Sequence, residues 1–302
     1  MATINRGSHP EALWPGVQAW FGKSYKELPQ GWQTLFDKRS SSKAYEKLVE
    51  STQFGYAPVK SEGGAISYDE ARQGYKSQIT HAVYALGYLV TMEEMADGQY
   101  EELSRSRSKA LARSLKATRE VVHANIINRA NSGSYLGGDG VSLLSTSHPT
   151  RDGNQSNRPA VDADLNEASL EDMLILVQNA KNARGLRIDL TSKRLVVAIQ
   201  NQFNAVRIMK SNLQSGTANN DINAMKAMGM LPDGVFSWRY LDDPDAWFIQ
   251  TDAPDSLVHY ERNEISLEQD NDFDTKNARA SAYMRFSCGW GDWRGLYGTQ
   301  GA

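Results

Sequence analysis

One long helix is the strongest prediction from the pattern of hydrophobic and polar positions. From Gly98 to Asn131 the chain has no proline, and apolar residues recur at steps of four, seven or eight, as on one face of a helix. These residues are Leu103, Leu111, Leu115, Val122 and Ile126. At about 1.5 Å per residue the helix is roughly 50 Å long, which exceeds what a compact domain needs. We therefore expect it to bridge or separate the parts of the protein on either side.

The residues before this helix show three different patterns. Met1 to Thr52 carries many large aromatic side chains among glycines and prolines, with only patchy helical spacing. This favours an arm that lies on another surface, its own or a neighbour's; an irregular N-terminal lobe is the alternative. Phe54 to Gly74 has few core residues and predicts a long hairpin or a projecting loop. From Tyr75 to Val90, alternating and then continuously apolar residues predict one strand that enters a core.

The residues after the helix predict a second, smaller lobe. A polar loop region leads to a helix that begins at Ser169. The elements predicted beyond it are a helix over Gln202 to Met209 and strands over Leu195 to Ile199, Val235 to Tyr240, Ala246 to Thr251, Leu257 to Glu261 and Lys276 to Trp290. Because strands of one group flank the long helix on both sides, we expect two α+β lobes, the second inserted into the first between Asn166 and Asp252.

Composition and charge exclude several classes of function. The chain has 302 residues and a formal net charge of −3, so no strong electrostatic attraction to nucleic acid or anionic membrane follows. Cys288 is the only cysteine, so an intrachain disulfide and a cysteine-based metal cluster are excluded. No apolar run approaches the length of a membrane span, and no membrane partner is expected.

No catalytic constellation rises above background. The five histidines lack metal-ligand spacing, and the glycines from Gly137 to Gly140 lack the lysine of a phosphate loop. We therefore expect no catalytic residue, cofactor or metal, and a protein that is not an enzyme. An α+β enzyme with a lidded site is the alternative from another class. Large surfaces without chemistry favour a role in assembly.

Several segments together resemble one family. They are Phe54 to Lys60, Thr80 to Tyr88, Leu144 to Pro149, Gly216 to Asn223, Asp243 to Ile249 and Gly289 to Gly298. In these the chain resembles the major capsid protein of tailed bacteriophages, in the branch of the Mu-like prophage major head subunit. Each segment alone is a weak signal, whereas the set is specific.

The resemblance implies an α+β protein with the Hong Kong-97-type capsid fold. The parts it implies are an N-terminal arm (1–52), an extended loop (53–78), a peripheral domain (79–165 and 253–302) with a spine helix (98–131), and an axial domain (166–252). It also implies contacts between subunits by the arm and the loop. The candidates are Trp14, Trp20, Phe21, Trp32, Phe54, Tyr56, Lys60 and Glu62.

The implied function is a virion shell subunit that self-assembles, as pentamers and hexamers, into an icosahedral capsid around double-stranded DNA. Assembly is expected in the host bacterial cytoplasm, with a separate scaffolding protein, a portal and an optional decoration protein as partners, and with non-specific contact to DNA. A nanocompartment shell around a cargo enzyme is the alternative. Some members crosslink a loop lysine, for which Lys60 is the candidate. That reaction needs a desolvated acid, and none is evident, so we do not expect the crosslink.

Overall fold

The computed structural model describes residues 14–27, 29–91, 93–94, 100–213, 221–272, 274–275 and 277–302. The helices are α1 (Trp14–Glu27), α2 (Tyr100–Asn128), α3 (Glu167–Gln178), α4 (Gln202–Lys210) and α5 (Ala224–Met228), with 3₁₀ turns at Trp32–Thr34 and Trp293–Gly295. Within these ranges no helix combines the length and the apolar character needed to cross a bilayer.

Twelve strands in the described ranges form two main sheets and two hairpins. The strands are β1 (Asp37–Ser40), β2 (Tyr45–Ser51), β3 (Gln73–Thr80), β4 (Ala82–Val90), β5 (His148–Thr150), β6 (Gly153–Gln155), β7 (Ser192–Val197), β8 (Val235–Ser237), β9 (Trp247–Thr251), β10 (Leu257–Asn271), β11 (Ala278–Trp290) and β12 (Leu296–Thr299). The first sheet has the order β1-β10-β11-β4 and the second β12-β9-β7-β8, while β2 pairs with β3 and β5 with β6.

The long helix packs on one face of the first sheet. Alternate residues of β11, among them Ala282, Met284 and Phe286, are buried and pack with Leu111 and Leu115 of α2. Helix α2 has 29 residues, so it is about 43 Å long. The predicted helix is confirmed over these residues and ends three residues earlier than expected, while Gly98 and Gln99 lie outside the described ranges.

The second sheet has its own core beneath α3 and α4. Leu170 and Leu174 of α3 pack with Leu195 of β7 and Ile249 of β9. Helix α3 begins two residues before the predicted Ser169, because the Asn166 side chain caps it and Ser169 returns a hydrogen bond to the Asn166 backbone. Strand β12 pairs with β9, so the chain returns to the second sheet at its end. Residues 253–302, which the sequence analysis assigns to the peripheral domain, thus contribute strands to both main sheets.

Two predictions for the residues before α2 are wrong. Residues 14–27 form a helix, where the scattered aromatics indicated little regular structure. The single strand predicted from Tyr75 to Val90 is broken at His81 into β3 and β4, which belong to different sheets. The apolar run in β4 enters the core on one face only. Tyr84 and Tyr88 pack against the cluster beneath α2, whereas Val83, Leu86 and Leu89 of this edge strand are exposed.

Candidate assembly surfaces

The N-terminal segment is anchored on its own chain at Trp32. Its indole ring packs against two imidazoles, with its centroid 4.5 Å from that of His123 of α2 and 4.3 Å from that of His259 of β10, and the two imidazole centroids are themselves 4.9 Å apart. The Trp32 side chain is fully buried, and Phe36 packs edge-on against His123. The residues after α1 are therefore held between the long helix and the first sheet.

A chain of hydrogen bonds runs through the same place. The Nδ1 atom of His123 lies 2.6 Å from the carbonyl oxygen of Arg119, and its Nε2 lies 2.9 Å from Nδ1 of His259. The guanidinium of Arg119 donates to Glu261 Oε1 over 2.6 Å. We call these four residues, together with Trp32, the Trp32 junction. It joins α2 to β10 by polar contacts inside an otherwise apolar core.

The environment of the junction fixes its charges. Burial lowers the pKa of His123 from 6.5 to about 3 and also lowers the pKa of His259. Burial alone would raise the pKa of Glu261, but its hydrogen bond with His259 and the charge of Arg119 outweigh this and lower it to about 2. Near neutral pH both imidazoles are thus uncharged, and Glu261 is ionised beside Arg119.

Helix α1 packs against the long helix. Phe21 is buried with Leu111 and Leu115, and the ammonium group of Lys116 donates to the carbonyl oxygen of Tyr25. Trp20 is half-buried beneath the guanidinium of Arg105. The aromatic residues of α1 are therefore used at least partly within one chain.

The projecting loop, residues 52–72, has no regular secondary structure beyond a turn at residues 62–63. It extends from the β2–β3 hairpin, and Thr52 and Arg72 close its base through a backbone N–H···O bond of 2.8 Å. Large apolar side chains along the loop are exposed. Val59 is 100% exposed, Tyr68 95% and Tyr56 74%, and Phe54 and Ile66 are exposed as well. The loop thus presents apolar surface that its own chain does not cover.

One polar contact ties the loop to the turn that follows α3. Arg184 donates to Asp69 Oδ2 over 2.5 Å and to the carbonyl oxygen of Gln53 over 3.2 Å, and Asp69 also accepts from the Gly55 N–H over 2.7 Å. The hydrogen bond from Arg184 contributes most to lowering the pKa of Asp69 to about 2. We call these four residues the Arg184 clamp; it fixes where the loop leaves the body of the subunit.

A comparison with models of protein families identifies the family of this chain. The model described as phage capsid protein matches residues 74–299, which is about three quarters of the chain. This chain belongs to the phage capsid protein family. A search of curated proteins found no match.

Solved structures show the fold of this capsid protein. The procapsid of bacteriophage JBD30 matches with a TM-score of 0.52 at 16% identity, covering 98% of this chain and 76% of that one. The capsid of an empty GTA particle matches with a TM-score of 0.56 at 12% identity, covering 90% of each chain. A virus-like particle from Pyrococcus furiosus matches with a TM-score of 0.54 at 9% identity, covering 95% and 98%. The predicted Hong Kong-97-type fold is confirmed, while the Mu-like branch stays a prediction.

The predicted contact residues of the capsid protein divide into two sets. The loop residues Phe54, Tyr56, Lys60 and Glu62 are all exposed. Phe21 and Trp32 are buried within their own chain, so their prediction as contacts to a neighbour is corrected. Trp20 is half-buried, and the side chain of Trp14 lies outside the described part. Large aromatic side chains indicate anchoring, but sequence spacing alone does not reveal which chain they are anchored on.

Sequence reasoning missed His259 and Arg184, and it treated His123 as an isolated residue. His123 and His259 are 136 positions apart, and Arg184 and Asp69 are 115 apart, so no local spacing connects them. The only signal was the presence of histidines in predicted helical and strand segments, which does not indicate a pair.

Trp32→Ala should lower the free energy of unfolding of the free subunit by about 3–5 kcal/mol, because it removes a fully buried ring that packs against two imidazoles. Trp20→Ala, at a half-buried site, should cost clearly less. Denaturant unfolding of both variants checks this. Equal costs would mean that Trp32 does not anchor the segment as described.

Acid should destabilise the subunit through the Trp32 junction. The unfolded chain takes up protons on its histidines below pH 6.5, whereas the folded His123 does so only near pH 3. Its contribution is therefore complete above pH 6.5 and is lost as the pH falls; at pH 5 the loss is about 2 kcal/mol. Glu261 adds a loss in the same direction below its unfolded pKa of 4.5. The free energy of unfolding, measured at pH 7.5 and at pH 5, tests this. In His123→Gln the difference between the two free energies should be smaller than in the natural chain, and an unchanged difference would contradict the assignment to His123.

Arg184→Gln should loosen the loop without unfolding the subunit, because the Arg184 clamp is partly exposed and holds only the loop base. Hydrogen exchange and limited proteolysis should increase across residues 53–69. Arg207→Gln, which changes an exposed arginine on helix α4, is the matched control. The clamp assignment fails if both variants protect the loop as well as the natural chain.

Proposed function

We propose that this protein is the major head subunit of a tailed bacteriophage, and that its copies self-assemble into an icosahedral shell around double-stranded DNA. Membership of the phage capsid protein family supports this. So does the shared fold with proteins whose structures are described as a procapsid and as the capsid of an empty particle. In this proposal the protein resides in the virion and assembles in the cytoplasm of the bacterial host.

The loop of residues 52–72 is the observation that carries the proposal. Soluble proteins that act alone rarely hold several large apolar side chains away from their body in water. Here Tyr56, Val59 and Tyr68 are each at least 74% exposed, and the Arg184 clamp directs the loop from its base. We propose that the loop lies over a neighbouring subunit, which covers these side chains.

A second exposed apolar region supports lattice contacts at the other lobe. Between the start of α4 and the end of α5, large apolar side chains are exposed at Phe203, Leu213, Ile222 and Met228. In our proposal residues 166–252 act as the axial domain, and this surface meets other copies in pentamers and hexamers. Residues 79–165 and 253–302 then act as the peripheral domain, with the return of β12 to the second sheet tying the two together.

Further partners follow from the proposed role. A separate scaffolding protein, a portal and a decoration protein would contact the shell, and the net charge of −3 suits a wall that touches packaged DNA only non-specifically. We propose no covalent crosslink at Lys60, because that chemistry needs a desolvated acid beside the amine and Lys60 is exposed on the loop. We also propose that the protein has no enzymatic role.

A nanocompartment shell is the second candidate, motivated by the similarity to the virus-like particle from Pyrococcus furiosus. The content of purified particles separates the two functions. Double-stranded DNA in particles from infected or induced cells supports the head subunit, whereas a cargo protein without DNA supports the nanocompartment.

The loop variant Tyr56→Ser/Val59→Ser/Tyr68→Ser tests the proposed assembly. Burying one such apolar side chain contributes about 1.5–3 kcal/mol. The triple change should therefore raise the subunit concentration at which shells form by more than about tenfold. Because the three side chains make little contact within the subunit, its unfolding should be nearly unchanged. Electron microscopy and light scattering across a concentration series provide the measurement.

Val161→Ser is the control, since Val161 is a similarly exposed apolar residue outside the loop. It should assemble like the natural chain. Normal shells from the triple variant at the natural concentration would refute the role of the loop, and a natural chain that stays monomeric at every concentration would refute the proposed function itself.

A further inference from the structure

A concave groove lies beside the Trp32 junction. It has a volume of about 440 Å³ and is bounded by Pro29 and Gly31, by one face of α2 and by the residues around the end of β8. The α2 residues are Arg113, Lys116, Ala117 and Glu120, whose spacing of three and four places them on one side of the helix. The groove is therefore built from a rigid helix face and from a segment held by the junction.

Aromatic rings form the opposite wall. Phe236, Trp238 and Tyr240 line it, and Arg239 lies among them. The chain approaches this wall closely at Gly31, where an added Cβ would lie only 3.1 Å from Trp238 Nε1. The groove thus combines apolar ring surface with basic side chains from two elements.

Some charged side chains in the groove have hydrogen-bond partners within the subunit, and others do not. The carboxylate of Glu120 accepts hydrogen bonds from the Trp32 N–H at 3.4 Å and from Trp238 Nε1 at 2.9 Å, and Lys116 donates to the Tyr25 carbonyl oxygen. In contrast, the exposed guanidinium groups of Arg113 and Arg239 have no hydrogen bond or ion pair within the described ranges. Two cationic groups are therefore available at the rim of a groove in a chain that is acidic overall.

We propose that this groove binds an acidic segment of another polypeptide. Carboxylates of the segment would pair with Arg113 and Arg239, since guanidinium groups bind carboxylates through paired hydrogen bonds. An apolar side chain of the segment would cover the rings of Phe236 and Tyr240. A DNA duplex fits less well, because its backbone offers phosphates to the arginines but no apolar group to enter the groove. The inference goes beyond shell formation, since one subunit contains the whole groove.

Binding of defined probes to the full chain tests the proposal. Fluorescence anisotropy would compare a labelled peptide of alternating glutamate and leucine with the same peptide carrying lysine for glutamate, and with a 20-base-pair DNA duplex. We expect the glutamate peptide to bind and the lysine peptide not to bind. Arg113→Glu/Arg239→Glu should weaken binding of the glutamate peptide by at least roughly tenfold.

Arg151→Glu is the matched control, because it reverses an exposed arginine outside the groove, and it should leave binding unchanged. The unfolding midpoint shows whether charge reversal impairs folding. If it does, Arg113→Gln/Arg239→Gln serves as a milder second variant. Equal binding of both peptides, no effect of either double variant, or stronger groove-dependent binding of the DNA duplex would overturn the proposal. Electron microscopy of the same samples reports separately on shell formation, so failure of the proposed function is distinguishable.

Discussion

The packing of Trp32 against two neutral, hydrogen-bonded imidazoles is the constraint on which the rest of the subunit depends. It fixes one point of the N-terminal segment to both α2 and β10. From that point α1 runs along the long helix, β1 pairs with β10, and the basic groove is formed. Because the histidines, Arg119 and Glu261 are buried, breaking one of their hydrogen bonds would leave a buried polar group without its partner, which favours this arrangement of the segment.

The chain is otherwise divided between surfaces that it covers itself and surfaces that it leaves for others. The aromatic residues of the N-terminal segment are mostly enclosed, whereas the apolar residues of the loop and of the region from α4 to α5 are exposed. Intrachain packing therefore makes the body rigid, and the exposed segments are available to join copies. The Arg184 clamp connects the two parts by orienting a loop that has no core of its own.

The sequence predicted the parts whose signal is local. The periodic apolar residues from Leu111 to Ile126 predicted α2, and the glycines and proline near Val59 predicted the loop. The sequence did not predict α1, because the aromatic residues of this helix follow no regular period. It also did not predict the break at His81, because the hydrogen bonds of His81 with Ser41 and Ser287 come from distant segments. The pairing of His123 with His259 and of Arg184 with Asp69 depends on tertiary structure. The aromatic content of residues 1–52 suggested contacts to a neighbour. A segment that is buried in its own chain has the same aromatic content, so composition does not distinguish the two cases.

The most direct test of this account is a high-resolution cryo-electron microscopy reconstruction of particles assembled from the natural chain. It should show residues 54–68 lying against a neighbouring subunit, with Tyr56, Val59 and Tyr68 covered there. Trp32 should stay packed against His123 and His259 of its own chain. A loop folded back on its own subunit, or a Trp32 ring inserted into a neighbour, would contradict the division between anchored and shared surfaces.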